Sequence, residues 1–326
     1  MKAACNELLS LNRAPSGKET FTILSKCEAM ASLLVYEPPS KPAEKRDATS
    51  ALLSLDGSAS KKIPVHKIPQ SFLRMIDELS QIAYSVVESP PVFISPQILG
   101  MYVNIQSTLN KPETLPEVLH LYANKPVAQE GSSPIRYSNP SPNKVANAIH
   151  PTVAERALKT ALNAKNLNAA MDIIEVCYTT TAAHRAKFVR KGLLPVTGLG
   201  LAPFAAYSAA SQLAHYQDTM DVTMFTNVGF AGLMAYITFT ATTAVVAVTT
   251  ANDQMVRVTW APGVPLRERW IREEERAAID QVAVAWGFRE VWRRGEEEGE
   301  DWEAIREWIG RRSMMLDRVE LMEGME

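Results

Sequence analysis

The chain has 326 residues, of which 46% are hydrophobic and 21% are charged, and its formal net charge is −2. A charge balance so near neutrality gives no electrostatic basis for binding DNA, and we expect no DNA partner. The three cysteines, Cys5, Cys27 and Cys177, are odd in number and widely spaced. That pattern is unlike a disulfide framework or a metal site, and it suits a reducing compartment.

We expect residues 1–65 to form a flexible N-terminal region and linker. Residues 37–64 are rich in proline, serine, alanine and lysine, a composition that buries too little apolar surface to become ordered. The first residues resemble neither a secretory signal nor a mitochondrial presequence, because they lack an apolar core and carry Glu7 and Glu19. Targeting is therefore internal, or the true start of the protein lies upstream.

Residues 66–190 are predicted to form a region of helical hairpins. Apolar residues recur at steps of three and four over 71–87, which predicts an amphipathic helix. Two helix pairs follow, the first over 96–109 and 116–123, the second over 153–164 and 168–178. Each pair has the size of one tetratricopeptide or pentatricopeptide unit, so we expect a repeat-like arrangement.

Basic residues at the end of this region leave two interpretations open. Arg156, Lys159 and Lys165 precede a second basic cluster over 184–191. A pentatricopeptide RNA reader would use such residues to hold phosphates. Basic residues beside a membrane span also set its orientation and contact anionic lipid. We favour the second interpretation and keep RNA as an alternative partner.

Two uncharged stretches, residues 192–217 and 222–252, predict a transmembrane hairpin over 191–252. About 20 apolar residues cross the hydrocarbon core of a bilayer. The alternative is a pair of buried helices in a soluble protein. Basic residues flank the hairpin on both sides, whereas the loop carries only Asp218 and Asp221. By the positive-inside rule both termini lie on the inner side, which is the matrix in a mitochondrial protein.

Small residues within the hairpin predict close helix packing. Side chains four residues apart stack on one face of a helix, and small ones let a neighbouring backbone approach. The surface would serve contact between the two spans, which we favour, or contact with a helix of a partner. The predicted packing residues are Gly198, Ala202, Ala206, Ala210, Ala231, Gly232 and Ala235.

Residues 253–326 are predicted to form a small helical module rich in tryptophan. Charged helices are expected over 266–286 and 302–316. Tryptophan is favoured at the centres of protein contacts, so the rings form either a partner-binding face or a miniature core close to the membrane interface. The predicted partner-binding residues are Trp270, Trp286, Trp302 and Trp308.

No residue pattern in the chain indicates catalysis. The five histidines are scattered, and no Walker loop, G-x-S-x-G or H-E-x-x-H motif is present. Acidic residues over 296–301 form a solvated run rather than an acid–base pair. We therefore expect no catalytic residue, no cofactor and no metal, and a protein that is not an enzyme.

Two segments resemble a known group of proteins. They are NKPETLPEVLHLYANKP, residues 110–126, and AWGFREVWRRGEEEGEDWEAIREWIG, residues 285–310. Together with the hairpin they resemble poorly characterised fungal mitochondrial inner-membrane proteins, some of them genetic interactors of prohibitin or associated with mitochondrial gene expression. The resemblance covers most of the chain after about residue 65, carries no catalytic motif, and implies a mitochondrial inner-membrane location.

These observations predict a mainly α-helical protein that contacts the lipid bilayer and binds protein partners. The hairpin region and the tryptophan-rich module would each hold a partner, so that the protein tethers matrix machinery to the inner membrane. That machinery would be a membrane complex or factors associated with the mitochondrial ribosome. The alternatives are an RNA-binding translational regulator, and an assembly factor for a respiratory complex that acts through its transmembrane hairpin.

Overall fold

The computed structural model describes residues 15–35, 70–128, 136–250 and 255–317, and the fold is mainly helical, as predicted. It contains two compact units, Met1–Pro140 and Ser141–Glu326. This division falls inside the predicted domain 66–190 and places its two helix pairs in different units. The predicted linker over 37–64 lies outside the described residues.

The first unit is a group of helices around one central helix. Helix α3 (Pro96–Leu109) packs on α1 (Gly17–Val35) and α2 (Gln70–Glu88), and α4 (Leu115–Asn124) follows after a short turn. Buried Gln106 joins three of these helices, because it accepts a hydrogen bond from Ser80 at 2.8 Å and donates to Tyr102, whose hydroxyl lies 2.6 Å from that of Thr114. The elements are α1 (Gly17–Val35), α2 (Gln70–Glu88), α3 (Pro96–Leu109), α4 (Leu115–Asn124) and an antiparallel pair, β1 (Val127–Ala128) and β2 (Tyr137–Ser138).

Helix α1 corrects the expectation that all of residues 1–65 are flexible. It buries Leu24, Cys27 and Ala31 against the first unit, each with no exposed surface. Its first turn is fixed by a capping box, in which Ser16 caps the helix and its own N–H donates to Glu19 at 3.1 Å. Burial on one face and a capped start make this segment an ordered part of the first unit.

The second unit contains the long apolar helices and the C-terminal module. The helices Pro151–Asn163 and Leu167–Tyr178, which precede the long apolar pair, pack on the helix Leu266–Trp286, which follows it. The chain before and after the apolar pair therefore forms one body. The helices are α5 (Pro151–Asn163), α6 (Leu167–Tyr178), α7 (Thr181–Lys187), α8 (Leu193–Ala214), α9 (Val222–Thr250), α10 (Leu266–Trp286) and α11 (Glu300–Arg311). The remaining elements are 3-10 turns at Val145–Asn147 and Val291–Arg293, a π-helical turn at Phe188–Gly192, and strands β3 (Val258–Trp260) and β4 (Met314–Leu316).

The second C-terminal helix ends earlier than predicted. It stops at Arg311, and Ser313 then takes a left-handed conformation with φ of 59°. This turn lets β4 return antiparallel to β3, with Trp260 opposite Met314. The predicted helix over 302–316 is therefore wrong after Arg311, because its last residues satisfy their backbone groups in a strand pair.

Candidate functional site

Two helices of the second unit are long and apolar enough to cross a membrane. One runs over Thr181–Ala214 through α7, the π-helical turn and α8, and the other is α9, Val222–Thr250. Neither is a core helix of this chain, since at most 11% of the residues in their most apolar stretches are buried. Large side chains such as Leu194, Phe204 and Phe239 are instead more than 70% exposed. An uncovered apolar surface of this kind fits nonpolar surroundings rather than water.

The two helices pack closely on each other near their connecting turn. Ala206, Ala210 and Ala214 on α8 are buried there, and Ala202 is half-buried on the same face. On α9 the matching position is Gly229, where an added Cβ would lie 3.4 Å from the Cβ of Ala210. Small residues therefore bring the two backbones together at this point.

The other predicted packing residues do not take part in this contact. Ala231, Gly232 and Ala235 are exposed on α9, and Gly198 is exposed on α8. The face of α9 that meets α8 instead includes Gly229, buried Thr226 and Phe230, whose ring pairs with that of Tyr207 on α8. The predicted contact surface on α9 is therefore corrected to this face.

Threonines on α9 satisfy their hydroxyl groups within the helix. Each donates to the carbonyl oxygen four residues earlier, at distances of 2.7 to 2.9 Å. A hydroxyl paired in this way carries no unsatisfied donor into a nonpolar environment. The threonines are Thr238, Thr240, Thr242, Thr243, Thr249 and Thr250.

The turn between the helices is polar and locally ordered. Asp221 caps α9, since one of its carboxylate oxygens accepts from the N–H groups of Thr223 at 3.0 Å and Met224 at 3.3 Å. The hydrogen bond from the Thr223 hydroxyl, with these backbone bonds, lowers the pKa of Asp221. Gln217 ties the preceding residues together by accepting from the N–H of Met220 at 3.0 Å. The turn therefore presents a stable, negatively charged end of the hairpin.

The opposite end of the hairpin is fixed to α10 by charged and aromatic contacts. Glu274 accepts from Lys191 at 2.8 Å and from Arg190 at 3.2 Å. Burial alone would raise the pKa of Glu274, but these two cations keep it below its usual value. Trp270 packs edge-on against Phe188 with ring centroids 6.5 Å apart. The π-helical turn, which directs these residues towards α10, therefore joins the apolar helices to the C-terminal module.

We call the cavity at this end the charged cleft, with a volume of about 410 Å³. It lies between the helices that precede the apolar pair and the helix that follows it. The residues that line it are Pro151, Glu155, Tyr178, Lys187, Arg190, Lys191, Val248, Glu273, Glu274, Ala277, Ala278 and Gln281.

The four predicted partner-binding tryptophans are engaged within the chain. Trp302 is only 4% exposed, and the other three are half-buried. This corrects the predicted docking face in favour of the alternative, a miniature core. Trp270 packs on Phe188, Trp286 lies under Lys165, Trp302 under Arg257 and Trp308 under Arg312.

Trp292 is an exposed aromatic residue of the C-terminal module, and it is not among the predicted partner-binding residues. Trp292 is 78% exposed and stands beside Val291, which is 70% exposed, on the 3-10 turn before α11. Its position within a run of charged residues is the sequence signal that could have identified it, because such a run cannot supply a core around the ring.

A network of buried charges holds the C-terminal module together. Arg257 is 2% exposed, pairs with Glu297 at 2.7 Å and with Asp317, and faces the ring of Trp302. Burial alone would raise the pKa of Glu297, but Arg257 and the N–H groups of Phe288 and Gly295 hold it at about 2. The carboxylate therefore stays charged, as an ion pair in a buried site requires.

The basic residues considered for RNA binding do not form one free surface. Lys165 donates to the carbonyl oxygen of Ala285 and lies 5.2 Å from the ring of Trp286. It is therefore used to hold α10, whereas Lys159 and Arg156 are exposed on α5. This arrangement favours a structural role for Lys165 over phosphate binding.

Among the described residues, no group of three or more histidine, cysteine, aspartate or glutamate side chains could hold a metal ion. Comparison of the chain with protein-family models, curated proteins and solved structures gave no match.

Proposed function

We propose that the protein is a membrane-anchored adaptor, fixed in the mitochondrial inner membrane by α8 and α9 with both ends in the matrix. The observation that carries this proposal is the packing of α5 and α6 on α10. These helices precede and follow the apolar pair, yet they form one body at the same end of it. A hairpin that crosses the bilayer twice would leave its two flanks in this arrangement.

The charges at the two ends of the hairpin support this orientation. The flank carries Lys187, Arg190 and Lys191 beside α8, while the turn carries Asp218 and Asp221. Basic residues are retained on the inner side of a membrane. The matrix is the inner side in the mitochondrion, and the resemblance of two segments to inner-membrane proteins supports that compartment.

The role of adaptor is supported by what the chain presents outside the apolar helices. The first unit is a separate helical body, and the C-terminal module exposes Trp292 and Val291 on its surface. Tryptophan is enriched at the centres of protein contacts. The protein would thus attach matrix machinery, for gene expression or respiratory-complex biogenesis, to the membrane.

Labelling of single cysteines tests the membrane arrangement. Met220→Cys on the turn is expected to react with a membrane-impermeant maleimide in intact mitoplasts, because the turn would face the intermembrane side. Glu298→Cys on the C-terminal module is expected to react only after detergent is added. Cys5→Ser serves as the background, since Cys27 and Cys177 are buried. Labelling of Glu298→Cys without detergent, or release of the protein by alkaline carbonate, would contradict the proposal.

Purification of the tagged protein in mild detergent tests the adaptor role. Trp292→Ala is expected to lose most of the co-purified partner, by about tenfold or more, because removing an anchor tryptophan typically costs at least about 2 kcal/mol of binding. Protein folding should be unchanged, as the ring is exposed. Gly232→Leu, on the outer face of α9, is the comparison variant. Loss of partner with Gly232→Leu but not with Trp292→Ala would instead support an assembly factor that acts through its hairpin.

A further inference from the structure

A second cavity, which we call the apolar groove, lies between the two apolar helices and has a volume of about 490 Å³. It is open along its length and contains no charged side chain, and its only polar groups are hydroxyls already bonded within α9. The residues that line it are Leu199, Ala202, Met234, Ile237, Thr238, Ala241, Thr242, Val245, Val246 and Leu266.

The groove and the charged cleft are two parts of one continuous surface. On α9, Ala241 and Val245 line the groove and Val248 lines the cleft. They are spaced by four and three residues and so share one face. On α10, Leu266 lines the groove, and Glu273, seven residues or about two helical turns later on the same face, lines the cleft. Over about 10 Å along α10 the surface changes from apolar to charged, whereas α9 stays apolar up to Val248.

Two cations of the cleft share one carboxylate. Glu273 is paired with Arg276 and accepts from the indole of Trp260 at 3.2 Å. Glu274 is shared by Arg190 and Lys191, and Glu155 stands exposed at the edge. Lys187 is 4% exposed and has a backbone carbonyl as its hydrogen-bond acceptor, that of Ile271 at 3.2 Å. Three cations and three carboxylates line the cleft, but Arg190 and Lys191 share the single carboxylate of Glu274.

We propose that this surface binds a single anionic glycerophospholipid. The phosphate would lie against Arg190 and Lys191, whose side chains are 40% and 54% exposed at the rim of the cleft. An acyl chain would lie along the groove. The combination of cations beside an apolar channel is complementary to a phospholipid and not to a free phosphate ester. The inference rests on the proposed membrane anchor.

The test uses the full-length protein in detergent micelles that contain equal amounts of dioleoyl phosphatidylglycerol and dioleoyl phosphatidylcholine, with bound lipid measured by native mass spectrometry. We expect the protein to retain phosphatidylglycerol preferentially. Arg190→Gln with Lys191→Gln should lower that preference by about tenfold or more, because each basic residue near a membrane surface contributes about fivefold. The matched control is Lys159→Gln with Arg306→Gln, which removes two exposed cations elsewhere and should leave the preference unchanged.

Two further variants test the headgroup and the groove separately. Glu274→Gln removes the carboxylate that competes for both cations, so retention of phosphatidylglycerol should rise. Ala241→Trp fills the groove and should lower retention of phosphatidylglycerol and phosphatidylcholine alike. Helical circular dichroism shows whether each variant is folded.

Three results would overturn the inference. They are equal retention by the wild type and the Arg190–Lys191 variant, a fall in retention with Glu274→Gln, and displacement of the lipid by glycerol phosphate at equal concentration. Extraction of the wild type from mitochondrial membranes by alkaline carbonate would instead contradict the anchor itself. A protein that remains in the membrane but shows no lipid preference would contradict the lipid site alone.

Discussion

Replacing Asp280 with alanine is expected to unfold the C-terminal module. Asp280 is 3% exposed, and its carboxylate accepts from the N–H groups of Val256 at 3.0 Å, Arg257 at 2.7 Å and Val258 at 2.7 Å. These donors lead into β3, and alanine would leave them without a partner. A buried donor left unsatisfied costs about 1 to 3 kcal/mol, so the loss of unfolding free energy for the three N–H groups together should be about 3 to 9 kcal/mol.

Asparagine at the same position gives a graded comparison. The oxygen that accepts from Arg257 and Val258 would remain, while the amide would face the N–H of Val256, so we expect Asp280→Asn to lose less stability than Asp280→Ala. Urea denaturation followed by tryptophan fluorescence measures the difference, because Trp260 lies in β3. Glu298→Ala, at an exposed position of the same module, is the control. Equal stability of wild type and Asp280→Ala would show that β3 does not depend on this carboxylate.

Much of the helical structure follows from local patterns. The predicted segments 71–87, 96–109 and 266–286 agree closely with α2, α3 and α10, because apolar spacing and proline at helix starts are local signals. Helix α1 had such signals as well, in the capping box that begins at Ser16 and in the spacing of Leu24, Cys27 and Ala31. The composition of the neighbouring linker obscured them.

The contacts of the C-terminal module depend on residues far apart in the chain. Strand β4 pairs with a segment more than fifty residues earlier, and each strand has three residues, too few to give a periodic pattern. Arg257 and Asp280 are buried although charged residues usually lie at the surface. No sequence spacing predicts which cation covers which tryptophan ring, since these partners come from different helices.

The sequence also could not predict which face of α9 meets α8. The helix is apolar on all sides, so no polar face sets its rotation. Two registers of small residues were available, one containing Gly229 and one containing Ala231 and Ala235. Packing against Ala210 selects the first. In a membrane helix of uniform polarity, rotation is thus decided by the neighbouring helix and not by amphipathicity.

Gly287→Ala is expected to destabilise the C-terminal module by about 3 to 5 kcal/mol, the usual cost of breaking a buried ion pair. A Cβ at Gly287 would lie 1.5 Å from Nη1 of Arg257 and 2.9 Å from the carbonyl oxygen of Ala283. Arg257 is 2% exposed and paired with Glu297 and Asp317, so that a shift of its guanidinium would break these buried pairs. The guanidinium would be displaced and the Glu297 carboxylate left without its cation. Gly310→Ala in α11 meets no atom within 4 Å and should stabilise the module by about 0.5 to 1 kcal/mol.

A double-mutant cycle with Arg257→Met identifies the source of the loss. If the clash acts through the guanidinium, Gly287→Ala should cost little once that group is absent, and the two losses should be strongly non-additive. Thermal unfolding monitored by circular dichroism in detergent provides the free energies. Additive losses would assign the effect to the carbonyl of Ala283.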